Sequence, residues 1–272
     1  MPRVLTAAAL LAALATAAAL PAPLAAQTAL ASRLTADGGC ADCDLRRAAL
    51  RDLQIASGDF SGANMREADL KGAQLPDVSF AGADLRRAEM ERLLAPDADF
   101  TGAQLRDADL EKAVIERAVF AEADLRGADL ASVRMPGALL GEADLRDAFL
   151  RRAEAAGADF SDAQMQGADL ERAQLTGAVL RGADMEGADM DRIAGDGADF
   201  SDADLRDVRL TSASLRGAAF EDADLRGALL RRADLSGADL SGARGLSQDD
   251  LDIACGDAET LLPDGLSLPA CR

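Results

Sequence analysis

Four cysteines hold most of the covalent chemistry open to this chain of 272 residues. Cys40-Ala41-Asp42-Cys43 is a Cys-x-x-Cys pair, and Cys255 and Cys271 lie near the other terminus. Four cysteines allow three disulfide pairings. A Cys-x-x-Cys pair also suits thiol–disulfide exchange, and four thiolates suit zinc. There is no His. That excludes His-based acid–base catalysis, Ser–His and Cys–His nucleophiles and His metal ligands. The carboxylates are the remaining reactive groups. The 48 acids outnumber 29 bases, for a formal charge of −19, which argues against nucleic acid or an anionic membrane as partner. Carboxylates could bind Ca²⁺, but no EF-hand or Gly-Asp-rich calcium repeat is present. Nothing around Cys40 and Cys43 reads as a thioredoxin-like unit. No cofactor, metal or catalytic residue is expected, and the chain does not read as an enzyme.

Residues 1–26 read as a signal peptide. Arg3 is their only charge, an apolar run follows from Val4 to Leu20, Pro21 and Pro23 break it, and small residues come next. The cut is expected after Ala26, or after Ala31, leaving a mature protein in the periplasm or secreted. The run is at the short limit for spanning a bilayer. No later run is long enough, so no stable membrane span is expected after cleavage.

The elements that position everything else come from one repeat. Every fifth residue from Leu45 to Leu240 is large and apolar in 37 of 40 cases, the exceptions being Ala95, Ala155 and Gly195. Two residues before each, Ala stands in 32 of 40 cases. On a helix, steps of five spray around the axis, and on a flat strand they alternate faces. A coil that turns a corner every five residues satisfies both positions, with the large residue and its Ala pointing inward. A period of twenty is nested above this. Phe60, Phe80, Phe100, Phe120, Phe160, Phe200 and Phe220 are all separated by multiples of twenty, and Pro76, Pro96 and Pro136 share another slot. Twenty residues therefore make one four-sided coil, and residues 43–242 make ten. The sides are named here by their first inward residues: Leu45, Leu50, Ile55 and Phe60.

Stretches such as Ala123-Asp124-Leu125-Arg126-Gly127-Ala128-Asp129-Leu130 match the A(D/N)LXX consensus, and the chain resembles the pentapeptide repeat family over about 200 residues. The resemblance implies an all-β fold, a right-handed quadrilateral β-helix. Stacked coils rise ~4.8 Å each, so ten give a rod of roughly 48 Å. Gly two residues after the large one, as at Gly137 or Gly157, marks corners that need positive φ. On the Ile55 side, Leu93 and Ile193 stand beside the small Ala95 and Gly195, as if volume moved between neighbouring inward slots. Ala155 has only Ala153 beside it, so a void or shifted backbone is expected there. Each Pro on this side is expected to remove one ladder donor.

The open ends need caps: residues 27–42 at one and 243–272 at the other. Ser247-Gln248-Asp249-Asp250 reads as a helix start with Ser247 as N-cap. Leu251, Ala254 and Cys255 would face the last coil, and Gly256 would end the helix. The rod separates the two cysteine pairs by far more than the ~7 Å a disulfide spans, leaving Cys40–Cys43 and Cys255–Cys271. Exported relatives with a Cys-x-x-Cys-Asp-Leu start support an end staple.

Charge divides unequally over the four sides. The Leu45 and Leu50 sides are nearly balanced. An arginine ladder runs up the Leu45 side at Arg46, Arg66, Arg86, Arg106, Arg126 and Arg146, breaks at Gln166 and Glu186, and resumes at Arg206 and Arg226. It reads as a solvated salt-bridge lattice. The Phe60 side carries eleven acids and one base, Arg181. Asp59, Asp99, Glu122, Glu142, Asp159, Asp162, Asp199, Asp202, Glu221, Asp222 and Asp239 are the candidate partner surface. Leu94 and Val114 on the Ile55 side, Val119 and Leu139 on the Phe60 side, and Phe149 fall in outward slots and are a candidate apolar contact.

The expected function is a non-enzymatic exported scaffold presenting a rigid acidic surface to a protein partner with a basic surface; a homodimer is also open. The alternative follows from the resemblance, since some members of that family mimic DNA and bind gyrase. Against it stand the signal segment and the charge density, about one net charge per 5 Å on the acidic side against ~1.7 Å in duplex DNA.

Overall fold

The computed structural model describes residues 22–271. The apolar run of the signal segment lies outside them. Among the described residues, no helix is long and apolar enough to cross a membrane.

The chain forms a right-handed quadrilateral β-helix. Each residue preceding a large inward one pairs in parallel with the residue twenty positions on, as in Asp44↔Asn64 and Asn64↔Asp84. The large residue donates to the next coil (Leu45 N–H to Asn64 O, 2.8 Å), and the rung residue donates to the preceding one (Asn64 N–H to Cys43 O, 2.8 Å). Each side is thus a ladder one residue wide, closed by a corner. At the corners the second residue after the large one takes φ near +60°: Gly137 at 65°, and Glu122 and Glu142 both at 59°. Glycine adopts this conformation without strain; other residues enter it against a steric penalty.

The interior is filled by the residues that the repeat points inward. Phe60, Phe80, Phe100 and Phe120 stack in one column, with ring centroids 5.5, 4.9 and 4.6 Å apart. Phe200 and Phe220 resume it at 5.1 Å, and Phe160 is buried between the two groups. The inward Ala residues are buried as well, except Ala48 in the first coil, which is half-buried. The exchange of volume at Gly195 is direct: a Cβ there would stand 3.2 Å from Ile193 Cδ1.

Of the void or shifted backbone expected at Ala155, the shift is absent: its N–H donates to Gln174 O at 2.9 Å while Glu154 N–H donates to Val133 O at 2.8 Å. The main-chain ladder sets coil spacing whatever the side-chain volume. Nor do the prolines remove ladder donors. Pro76, Pro96 and Pro136 occupy the first corner position, whose N–H takes no part in the ladder, and their carbonyls still accept from Ser57, Asp77 and Arg117 at 2.9, 3.0 and 3.1 Å.

Helix α1 (Ala22–Asp37) covers the first coil, with Leu34 buried and Leu30 and Ala31 packed on the core. Gly38 and Gly39, at φ 70° and 119°, turn the chain into its first rung, Gly39↔Asp59. At the other end Ser247 caps α2 (Gln248–Leu251) in a capping box with Asp250. The helix stops at Leu251, before Gly256, because the chain re-enters the ladder: Cys255 N–H donates to Ala233 O at 2.9 Å. Leu251 and Ala254 are buried, and Cys255 is half-buried. The rungs Asp234↔Cys255, Asp239↔Leu261 and Gly256↔Ala270 finish the stack.

Candidate partner-binding surface

Outward positions follow a local rule. The Asp before each large residue turns its carboxylate back onto the N–H of the first corner residue, an Asx-type hydrogen bond. Asp44 accepts from Arg46 N–H at 3.3 Å, Asp129 from Ala131 at 2.9 Å and Asp159 from Ser161 at 2.9 Å. That N–H is the group the coil leaves out of its ladder, so the D of the consensus is first of all a backbone cap. The Ile55 side makes the same point in reverse: before its three prolines stand Gln74, Leu94 and Arg134, none placed to cap an N–H that proline lacks.

On the Leu45 side the same Asp also grips the arginine. Asp84 and Arg86 form a fork at 2.7 and 2.5 Å, Asp124 and Arg126 one at 2.8 and 2.6 Å, and Asp144 and Arg146 one at 2.8 and 2.5 Å. Hydrogen bonds from the guanidinium hold Asp84 and Asp124 below the ordinary carboxylate value. Arg66 and Arg106 lack this fork because Asn64 and Gln104 stand in the Asp slot. Six of the eight arginines are thus neutralised by the Asp of their own rung.

Where it breaks, ligand oxygens of Asp184, Glu186 and Asp204 lie within 4.8 Å of one another. Arg206 already binds two of them, donating to Glu186 and Asp204 at 2.6 Å each. The other potential metal-ligand cluster, Asp234 with Cys255 and Cys271, contains a disulfide. The structure bonds Cys40 to Cys43 (Cα–Cα 5.7 Å) and Cys255 to Cys271 (4.8 Å), one pair at each end.

The eleven acids of the Phe60 side separate into two kinds. Asp59, Asp99, Asp159, Asp199 and Asp239 are caps, bonded to the N–H of Ser61, Thr101, Ser161, Ser201 and Ser241 at 2.9–3.0 Å. Hydrogen bonds from Ser61 and from Ser241 hold Asp59 and Asp239 below the ordinary range. Burial pushes Asp199 up, but hydrogen bonds from Ser201 and Arg181 outweigh it and leave it low. The others stand at the corner. Glu122, Glu142 and Asp162 occupy three consecutive coils, all exposed and at φ 57–59°. Asp202 and Asp222 follow beyond Gly182, with Glu221 beside them. Arg181 pairs with Asp199 at 2.7 Å and reaches Asp202 at 3.7 Å. Among the described residues, Glu122, Glu142 and Asp162 have no ion pair.

Leu94 stacks on Val114, and Val119 on Leu139, on either side of one corner. Leu94 is 39% and Leu139 47% exposed. Arg117 and Asp97 occupy that corner as a fork of 2.7 and 2.5 Å, a pair that outward hydropathy alone does not reveal. Phe149 does not join this patch. Its rung partners are Asp129 and Asp169, on the Leu50 side, opposite Val119 and Leu139. Two further donors escape a search by side-chain type. Val119 and Leu139 replace the capping Asp, so the N–H groups of Ala121 and Gly141 find no acceptor among the described residues. The missing Asp was the signal.

A family model described as pentapeptide repeats matches the chain in eight copies, over residues 59–92, 98–135, 137–172, 173–211 and 209–244. Among solved structures, HetL, a pentapeptide repeat protein involved in heterocyst differentiation regulation in the cyanobacterium Nostoc, is 26% identical, with 87% of this chain and 96% of that one covered and a TM-score of 0.43. QnrB1, a plasmid-mediated fluoroquinolone resistance protein, is 17% identical over 79% of this chain and 87% of its own, with a TM-score of 0.41. A pentapeptide repeat protein of the Arabidopsis thaliana thylakoid lumen is 30% identical over 48% of this chain and 79% of its own, at 0.23. No curated protein matches the chain.

Proposed function

Since this chain belongs to the pentapeptide repeat family, we propose that it is an exported, non-enzymatic scaffold that binds a protein partner of basic surface along its Phe60 side. One observation carries the reading: on this side acids stand eleven to one against bases, and the corner acids Glu122, Glu142 and Asp162 serve neither as caps nor in ion pairs. Unrelieved repulsion between stacked carboxylates costs stability, and a cationic partner offsets it. The interior is filled by the Phe and Leu columns, which leaves recognition to the outer surface. Export rests on the signal-like N-terminus. Cleavage after Ala26 keeps Leu30, Ala31 and Leu34 as the plug of the first coil; cleavage after Ala31 removes two of the three.

The test is cell fractionation followed by crosslinking and pull-down. Wild type is compared with a variant carrying Lys at Glu122, Glu142, Asp162, Asp202 and Asp222, which leaves every capping Asp in place. The expected result is recovery of the mature protein outside the cytoplasm, with a captured partner that the variant loses. An identical set of captured proteins removes the acidic side from the function. The DNA-mimic alternative requires a cytoplasmic protein that binds a topoisomerase; recovery only from the periplasm or medium disposes of it.

A further inference from the structure

Between coils whose Asp caps the corner N–H, two consecutive coils on the Phe60 side have no such cap. Below them Asp99 caps Thr101, and above them Asp159 caps Ser161. Between lie Val119 and Leu139, stacked as rung partners. Because the cap elsewhere reaches its N–H from an outward side chain, the uncapped N–H groups of Ala121 and Gly141 face outward too. Space is open there: a Cβ on Gly141 would meet only Ser161 O, at 3.8 Å. Along one edge of this ledge run the unpaired carboxylates of Glu122, Glu142 and Asp162, each in a left-handed conformation that non-glycine residues enter at a cost. Apolar exposure, free backbone donors and unneutralised charge thus meet within about three coils.

We infer that this ledge docks a basic amphipathic peptide segment of the partner. Apolar side chains of the segment cover Val119 and Leu139, its Lys or Arg residues face Glu122, Glu142 and Asp162, and its polar acceptors take the N–H groups of Ala121 and Gly141. The inference rests on the proposal that the Phe60 side binds a partner and adds the place and the chemistry. Charge selects this occupant over a second copy of the chain. Two copies joined here would bring both sets of three carboxylates together, in a protein whose formal charge is already −19.

The probe is a fluorescent helical peptide of Leu and Lys, measured by anisotropy beside two controls: Ser for every Leu, and Glu for every Lys. The decisive variant is V119D/L139D. It restores the Asp of the repeat, so it caps Ala121 and Gly141 and folds as its neighbours do, while making the side more acidic. Wild type should bind the Leu/Lys peptide, and V119D/L139D should bind it at least tenfold more weakly, as for loss of a central apolar anchor. E122Q/E142Q/D162N should also weaken binding and flatten its salt dependence. In wild type, amide resonances of Ala121 and Gly141 should move on titration. Equal or tighter binding by V119D/L139D, binding of the Ser control as strong as that of the Leu/Lys peptide, or no binding by wild type overturns the ledge. So does self-association of wild type, by sedimentation, that L139D abolishes. A partner lost with the five Lys substitutions but kept by V119D/L139D leaves the acidic side standing and removes only the ledge.

Discussion

Ile193 fills the inward slot that Gly195 leaves empty, its Cδ1 3.2 Å from where a Cβ on Gly195 would stand. The two positions share one volume. I193A should therefore destabilise the protein by about 2–4 kcal/mol, as a core truncation with nothing to collapse into the gap. G195L alone should also destabilise through overpacking. The double variant I193A/G195L should recover part of the loss. Denaturant unfolding of the four proteins measures the coupling, and strict additivity would show that the slots are independent.

The two corner positions should respond oppositely to proline. Glu116 occupies the slot that Pro96 and Pro136 fill in neighbouring coils, and its N–H has no cap among the described residues because Val114 stands in the Asp slot. E116P should change stability by less than about 1 kcal/mol. Arg117 has φ 55° and donates to Pro136 O at 3.1 Å. R117P forces φ negative and removes that donor, so it should cost about 3 kcal/mol or more. Paired thermal melts check the contrast.

Capping and ion pairing by the same Asp are separable. Asp124 accepts from Arg126 N–H at 3.3 Å and forks the Arg126 guanidinium. D124N keeps an oxygen for the backbone and gives up the partly buried ion pair, a change of about 1 kcal/mol or less. D124A loses both and should cost about 1–2 kcal/mol. Equal losses in the two variants would mean that the cap contributes nothing.

Acid should weaken the rod. Hydrogen bonds from arginine hold Asp44, Asp84, Asp124, Asp204 and Asp224 below their ordinary value. The unfolded chain thus binds protons more readily than the folded one. The stability these groups supply is complete above about pH 4, the unfolded value, and is lost as pH falls through the lower folded values. Melting temperature should rise from pH 2 to pH 5 and then level off. Asp109 behaves oppositely: burial, and then the hydrogen-bonded neighbour Glu91, raise it. D109N should raise the melting temperature at pH 7, a gain that shrinks in acid as the wild-type carboxyl protonates.

Reduction should loosen the C-terminal end before the rod. The Cys255–Cys271 bond, with a sequence separation of 16, closes the tail over the last rungs. A loop of this size contributes about 3 kcal/mol. Replacing both cysteines by serine should speed amide exchange at Leu261 and Gly256, whose N–H groups donate to Ala238 O and Pro269 O, while Phe100 and Phe120 stay protected. Uniform acceleration through the stack would show that the staple supports the whole rod.

The spacing of large residues and alanines settled the coil, its four sides and the aromatic column, because a narrow stacked square admits only one large chain and one methyl per side. Leu93 and Ile193 showed the exchange of volume for the same reason. The tertiary structure alone decided what outward residues do. Asp59 and Glu122 look alike in a charge count, yet one caps a backbone N–H and the other does not, since the difference lies in the distance from each carboxylate to a corner N–H. The harmless prolines and the early stop of α2 were equally hidden, because each depends on which main-chain donors the ladder uses, and composition does not carry that; the place of Phe149 on the Leu50 side, away from Leu139, was already legible in the period of twenty.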